Sequence, residues 1–252
     1  EKEKERILNV SKIAKQYYKK DRLVLIVSAM SGVTDKLIDL FEKYKSLDYF
    51  GARQLIQTLY QIHKLELDGM SIDRLFGDLI LYLSVCKDFT SADYDYVISY
   101  GEKLSSRLLA ATLNNIGVRS IPVDASSAIV TDNNFGNGRV ILDSTETKAK
   151  SSIFPLLTQN IVPVVTGFFG ASLSGEIVTL GRGGSDYSAT ILANVLGATE
   201  VILWKEVDGV YSGDPKKDSS VKFYSDLTYD EALDLAQKGA KILHPEAMIP
   251  VQ

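Results

Sequence analysis

The sequence predicts an α/β fold with a mainly parallel central sheet, and three observations carry that expectation. Short apolar runs rich in β-branched residues, at 23–27, 161–166 and 201–204, read as strands buried on both faces. Between them lie segments whose apolar residues recur at helical spacing. Strand and helix alternate along the chain, the order that builds a parallel sheet with crossover helices.

Bulk properties bound the rest. The 252 residues suffice for one large α/β domain or two small ones. Hydrophobic residues make up 45%, charged residues 24%, and the formal net charge is −4. Such values argue against disorder and against a polyanionic partner, so nucleic acid is not expected. The single cysteine, Cys86, permits no intrachain disulfide. It reads as buried packing beside Val85, and it fits a reducing, cytoplasmic setting. No apolar run approaches the ~20 residues of a membrane span, so no membrane partner is expected.

Residues 1–6 are all charged, and Ile7, Val10, Ala14 and Tyr17 then mark a first helix. The chain thus opens inside an element and closes, at 249–252, on what reads as the start of another, so a fragment is expected. The strand at 23–27 runs into a turn, 28–34, with hydroxyls at Ser28, Ser31 and Thr34, ahead of a helix from Asp35 to about Lys45. Ligands of open α/β sheets bind beyond the carboxyl ends of strands. That turn is therefore either a ligand wall or an N-cap with a tight turn.

Residues 51–115 are mostly helical by periodicity. Leu55, Leu59 and Ile62 share one face, and Leu75, Leu79 and Leu83 another, with a break at Gly69 and Ser71. The helical stretch before Gly101 predicts a side lobe. His63, among Gln61, Lys64 and Glu66, reads as a surface or interfacial histidine. Gly101 inside a good helix costs about 1 kcal/mol against alanine, and such a glycine marks close approach by another backbone or a ligand. Its neighbour Glu102 then either faces a cation such as an ammonium or is a solvated glutamate at a helix start.

A strand follows at 120–124, and 132–139 is a loop of turn formers with a mobile tip expected. After the strand at 161–166, Ser174-Gly175 turns a hairpin into 176–180. A helix from Asp186 to Leu196 ends at Gly197, and 201–204 is the third expected buried strand. Residues 205–216 form a loop dense in charge. Thr228 and Glu231 make a capping box for a last helix with Leu233, Ala236 and Ala240 on its core side. His244, before a proline, reads as holding a turn.

The stretch that concentrates chemistry is Gly181-Arg182-Gly183-Gly184-Ser185-Asp186. Three glycines around one arginine, leading into a helix that starts at Ser185 or Asp186, make either an anion cradle for phosphate or a glycine-rich turn with an ordinary cap. A dinucleotide fingerprint is excluded because its third glycine position holds Asp186. No Walker A run and no protein-kinase catalytic loop occurs. The residues alone thus point to an α/β phosphate-handling protein of another architecture.

Taken together, the motifs VLIVSAMSGVTD (24–35), SYGEKLSSRLL (99–109), PVVTGFFG (163–170), TLGRGGSDYSAT (179–190), WKEVDGVYSGDP (204–215) and GAKILHPEA (239–247) closely resemble the catalytic domain of aspartokinases, within the amino acid kinase family. The resemblance spans essentially the whole chain. It implies a three-layer α/β/α sandwich and transfer of the γ-phosphoryl of ATP, with Mg²⁺, to the β-carboxylate of L-aspartate. That reaction gives 4-phospho-L-aspartate, the first step toward lysine, threonine and methionine.

By the same resemblance, Ser28 and Thr34 line the aspartate pocket, Glu102 receives the ammonium, and Arg182 holds a carboxylate. Asp186 organises the site, while Gly183, Gly184 and Ser185 approach the phosphates. Lys205, Glu206, Tyr211, Asp214 and Lys216 match the nucleotide segment, with Lys241 near the phosphates; no residue is assigned to a metal. Many relatives carry Thr-Asp at 205–206 and arginine at 216, which loosens the base and ribose contacts.

The resemblance also implies one catalytic domain over 1–252 without the family's first strand, which ends in Lys-Phe-Gly-Gly-Thr-Ser. C-terminal ACT domains, which bind lysine or threonine as feedback inhibitors and would support a homo-oligomer, are not in the sequence as given. An inactive or impaired fragment free of feedback inhibition is therefore expected. The alternatives are a glutamate, carbamate or uridylate kinase, or a nucleotide- or amino-acid-binding module without catalysis. The Glu102 and Arg182 pair favours an amino acid over uridylate.

Overall fold

The computed structural model describes residues 2–64, 72–205, 209–212, 221–237 and 245–251. In chain order its elements are α1 (Lys2–Tyr18), β1 (Leu25–Val27), α2 (Val33–Lys45), α3 (Tyr49–His63), α4 (Asp73–Val85), α5 (Ser91–Ile98), α6 (Tyr100–Asn115) and β2 (Ser120–Val123). Then come β3 (Val130–Thr131), α7 (Leu142–Thr158), β4 (Val162–Thr166), β5 (Phe169–Ser172), β6 (Ile177–Thr179) and α8 (Gly184–Leu196). The last are β7 (Val210–Tyr211), β8 (Phe223–Tyr224) and α9 (Tyr229–Gln237).

The main sheet runs β1-β4-β2, all parallel, with Leu25 beside Val164 and Ser120 beside Val162. Successive side chains in a strand point to opposite faces, and here both faces are apolar. Leu25, Val27, Val162 and Val164 pack against Ala14 of α1 and Leu109, Ala110 and Leu113 of α6. Ile26 and Val165 pack the other way, against Ala149 and Ile153 of α7 and Leu192 and Val195 of α8. Helices thus cover both faces, giving the three-layer sandwich. Each fully buried aliphatic side chain contributes roughly 1.5–3 kcal/mol.

A second sheet, β3-β5-β6, pairs β3 parallel to β5 and β5 antiparallel to β6. It carries the chain from the end of β4 to the start of α8. Helices α2 to α5 gather on α6 around Leu37, Leu40, Leu59, Leu79, Leu83 and Leu104, which is the predicted side lobe. No helix among the described residues is long and apolar enough to cross a membrane.

Several expectations change. Residues 201–204 form no strand: no described strand pairs with them, and Ile202 and Trp204 are exposed. An apolar run makes a strand only where a neighbour supplies the ladder. His63 is buried, not superficial. It sits four residues after Leu59 on the apolar stripe of α3, its Nδ1–H donates to the Leu59 carbonyl at 2.8 Å, and its ring lies by Phe76. Of the polar neighbours that suggested a surface, Gln61 and Lys64 are exposed, and Glu66 lies outside the described residues. In α1 the buried face is Ile7, Ser11 and Ala14, while Val10 is exposed.

Cys86 is half-buried. The Thr228–Glu231 capping box forms as expected, with each side chain meeting the other's backbone N–H. Gly69, Ser71, Ala240 and His244 lie outside the described residues.

Candidate active site

The carboxyl ends of β1 and β4 lie side by side, because the Gly167 N–H donates to the Val27 carbonyl at 2.8 Å. Beyond β1 the chain turns through 28–32, and Gly32, at φ 70°, caps α2 two residues earlier than the pattern predicts. Helix α6 comes up beneath this turn. A Cβ on Gly101 would stand 2.7 Å from the Ala29 Cβ, so only glycine allows the approach. The close-approach reading of Gly101 holds, and the approaching group is the Ser28–Met30 turn.

The approach aims Glu102 at that turn. The Ala29 N–H donates to Glu102 Oε1 at 2.9 Å. The side chain is buried, so the solvated alternative is excluded. Oε2 has no hydrogen-bond partner. Burial pushes the carboxyl pKa up to about 7, against the opposing effect of the Ala29 N–H. A buried oxygen is costly without a hydrogen-bond donor. An ammonium would supply one.

The glycine-rich segment packs against the end of β4. Phe168 adopts a left-handed conformation, φ 72°, which a bulky residue rarely takes. Its N–H donates to Ser188 Oγ at 3.0 Å, the Ser188 hydroxyl donates to the Gly184 carbonyl, and the Phe168 carbonyl accepts from Leu180 N–H at 2.8 Å. These bonds lock the end of β4 to the entry of α8. Gly183, at φ 75°, caps α8, which starts at Gly184 rather than at Ser185 or Asp186.

The earlier start turns the Ser185 and Asp186 N–H groups outward as the positive end of the helix. Gly167 presses on this turn, since a Cβ there would stand 2.8 Å from the Ser185 Cβ. Arg182 is exposed and pairs with no carboxylate among the described residues. Asp186 Oδ2 lies 2.5 Å from Lys205 Nζ.

A continuous set of contacts therefore joins Glu102, the 28–34 turn, Gly167 and the start of α8. Ser28 is exposed at the end of β1, and Thr34 is half-buried in the first turn of α2. Lys205, expected only in the nucleotide segment, reaches Asp186. Tyr211 belongs to the β7–β8 ribbon, with its ring edge-on to Phe223, and makes no hydrogen bond to the cradle among the described residues. Glu206, Asp214, Lys216 and Lys241 lie outside the described residues.

Sequence reasoning missed the Phe168–Ser188 lock, since a phenylalanine gives no local signal for positive φ. It also missed Lys103, whose ammonium is buried 4.7 and 4.6 Å from the Tyr96 and Tyr100 ring centres. Tyr96 and Tyr100 precede it by seven and three residues, a helical spacing that offered the signal. Burial lowers the Lys103 pKa to about 8. Near the carboxyl ends of β1 and β4 the fold thus places a buried carboxylate, Glu102, and a helix N-terminus with two cations, Arg182 and Lys205, beside it. That polarity suits a ligand with an ammonium at one end and anionic groups at the other.

The profile of the amino acid kinase family matches residues 1–252. Aspartokinase 1 and aspartokinase 3, both chloroplastic, of Arabidopsis thaliana are each 34% identical, over 91% and 98% of this chain and 42% and 46% of their own length. Lysine-sensitive aspartokinase 3 of Escherichia coli is 30% identical over 90% of this chain and 52% of its own. The chain thus spans about half the length of these relatives. The crystal structure of E. coli aspartokinase III in complex with aspartate and ADP matches with a TM-score of 0.82 at 28% identity, covering 91% of this chain and 52% of that one. The same enzyme in complex with lysine and aspartate matches with a TM-score of 0.82 at 27% identity, covering 96% and 56%. With its profile matched over 1–252 and its sandwich matching the aspartokinase structures, the chain belongs to the amino acid kinase family.

Proposed function

We propose that the protein carrying this chain is an aspartate kinase, transferring the γ-phosphoryl of ATP to the β-carboxylate of L-aspartate to give 4-phospho-L-aspartate and ADP. The observation that carries this reading is the buried, unpartnered Glu102 Oε2 beneath the turn after β1, whose sheet neighbour β4 leads through Gly167 to the start of α8. The aspartate and ADP in the similar E. coli structure support it.

On this reading the Glu102 carboxylate takes the substrate ammonium and Arg182 grips a substrate carboxylate through its planar fork. Ser28 and Thr34 border the aspartate pocket. The backbone at Gly183, Gly184 and Ser185 faces the phosphates. Tyr211, with Glu206, Asp214, Lys216 and Lys241, serves the nucleotide. Mg²⁺ belongs with the nucleotide, because that ion is held by phosphates and one or two carboxylates rather than by an all-protein cage. When bound it would neutralise phosphate charge, and Asp186, paired with Lys205 beside the start of α8, is the carboxylate that would hold it.

The chemistry forms one bond from a β-carboxylate oxygen to Pγ and breaks the bond from Pγ to the β,γ-bridging oxygen, so ADP leaves. No covalent enzyme intermediate is needed; positioning and charge neutralisation carry the step. Two anions must meet, so Arg182, Lys205 and the outward N–H groups of α8 offset their repulsion. Asp186 holds Lys205 at the mouth until phosphate arrives.

The test is a coupled ADP-release assay on the full natural protein with L-aspartate, L-glutamate and UMP as acceptors. Aspartate should be the preferred acceptor. Arg182→Ala should raise the aspartate KM about 10- to 100-fold, the worth of a charge-assisted contact, while the ATP KM stays within about threefold. Equal loss of both would return the segment to a plain phosphate loop.

A further inference from the structure

The loop 132–139, expected to have a mobile tip, is tied down instead, and the group that ties it is Asp95. This carboxylate lies on α5, in the side lobe, and is fully buried. Its Oδ2 accepts the N–H of Gly136 and the N–H of Thr179, both at 2.8 Å, and its Oδ1 accepts the Thr179 hydroxyl at 2.9 Å. Three donors on one buried carboxylate make a strong, geometrically specific joint.

Two further contacts extend it toward the cradle. The Gly138 N–H donates to the Thr179 carbonyl at 2.8 Å. At Gly181, two residues beyond Thr179, a Cβ would stand 2.8 Å from Asn137 Oδ1, so the loop lies directly against the entry to the glycine-rich turn. Asp95 thus holds both the end of β6 and the loop that braces Gly181.

We infer that Asp95 is a positioning residue, which fixes from the side lobe where Arg182 stands and so sets the grip on the substrate carboxylate. The inference rests on the aspartate-kinase reading for its consequence, though not for its geometry. Arg182 follows Gly181 directly, is exposed and has no carboxylate partner among the described residues, so the path of the backbone at Gly181 sets where its side chain starts. Helix α5 also precedes α6 by the single residue Ser99. One rigid element therefore registers both ends of the substrate site, with Glu102 on α6 and Arg182 through Asp95.

Asp95→Asn puts an amide NH₂ against donors, and Thr179→Val removes one hydroxyl at constant shape. Hydrogen exchange on both variants tests the joint without reference to activity. Amides in 177–184 should exchange at least tenfold faster, while those of β4 and α7 keep their protection. In the full natural protein, Asp95→Asn should raise the aspartate KM about five- to tenfold with the ATP KM within twofold. Adding it to Arg182→Ala should raise the aspartate KM no further.

Unchanged exchange in 177–184, or an equal rise throughout the chain, overturns the positioning role. So does a local rise in exchange with an unmoved aspartate KM, or full additivity with Arg182→Ala. Should the full natural protein not use aspartate, the aspartate-kinase reading fails and the exchange data alone decide on Asp95. Should it use aspartate and Arg182→Ala leave that use intact, the grip assigned to Arg182 fails and the inference fails with it.

Discussion

Glu102 shows how one side chain ties stability to recognition. Its folded pKa, about 7 against an ordinary 4.5, is raised by burial. For an acid raised in this way, the folded state holds the proton longer than the unfolded one. Stability is therefore greatest below the unfolded pKa and falls as pH rises through 7, by about 3 kcal/mol once the carboxylate is ionised. A bound ammonium reverses the sign, because it favours the ionised form. Affinity for an amino acid should therefore rise between pH 6 and pH 8, being about tenfold weaker at pH 6 than on the plateau. Glu102→Gln should flatten that profile and weaken binding throughout. Calorimetric titration with aspartate across the range checks both, and a flat wild-type profile would remove Glu102 from the ammonium site.

Among the elements, the junction of α6 with the 28–32 turn depends on the absent side chain at Gly101. Alanine would recover about 1 kcal/mol of helix propensity. It would also force its Cβ against Ala29, and overpacking of this kind costs about 1–3 kcal/mol. A small net loss of stability, up to about 2 kcal/mol, is expected for Gly101→Ala in a denaturant melt. The larger effect should fall on function, since the Ala29–Glu102 bond stretches with the turn.

That helical glycine was legible in the sequence because it broke a strong local preference. The buried strands β1 and β4 were legible because both of their faces meet helices, which leaves an unbroken apolar run. Residues 201–204 are a similar apolar run with no ladder among the described residues, and composition does not report which neighbour a run will have. The start of α8 was misread by one or two residues because a left-handed glycine cap does the work usually given to Ser or Asp. Arg182, Asp186 and Glu102 were named from motifs, but the Lys205–Asp186 pair, the Phe168–Ser188 lock and Asp95 join segments 19 to 84 residues apart. Spacing within one element cannot show contacts of that range.

At the scale of the molecule, α6 passes through two cores. Its Leu104 packs in the side lobe, and its Leu109, Ala110 and Leu113 pack under the main sheet. The third core, on the far face of the sheet, belongs to α7 and α8. The proposed site lies where the three meet, with Glu102 in the first turn of α6 and the cradle in the first turn of α8. A ligand held between them binds only when both helices are docked, so its binding energy adds to the stability of the whole body. With aspartate and Mg·ADP each supplied at about 100 times Kd, linkage gives about 2.7 kcal/mol per ligand. A domain of this size gains about 2–4 °C per kcal/mol, so Tm should rise by about 5–10 °C for either ligand. Helix loss followed by circular dichroism and the emission of Trp204, the single tryptophan and the neighbour of Lys205, should shift together. If the helical signal melts early and ignores ligand while Trp204 responds, the side lobe unfolds by itself and α6 does not couple the cores.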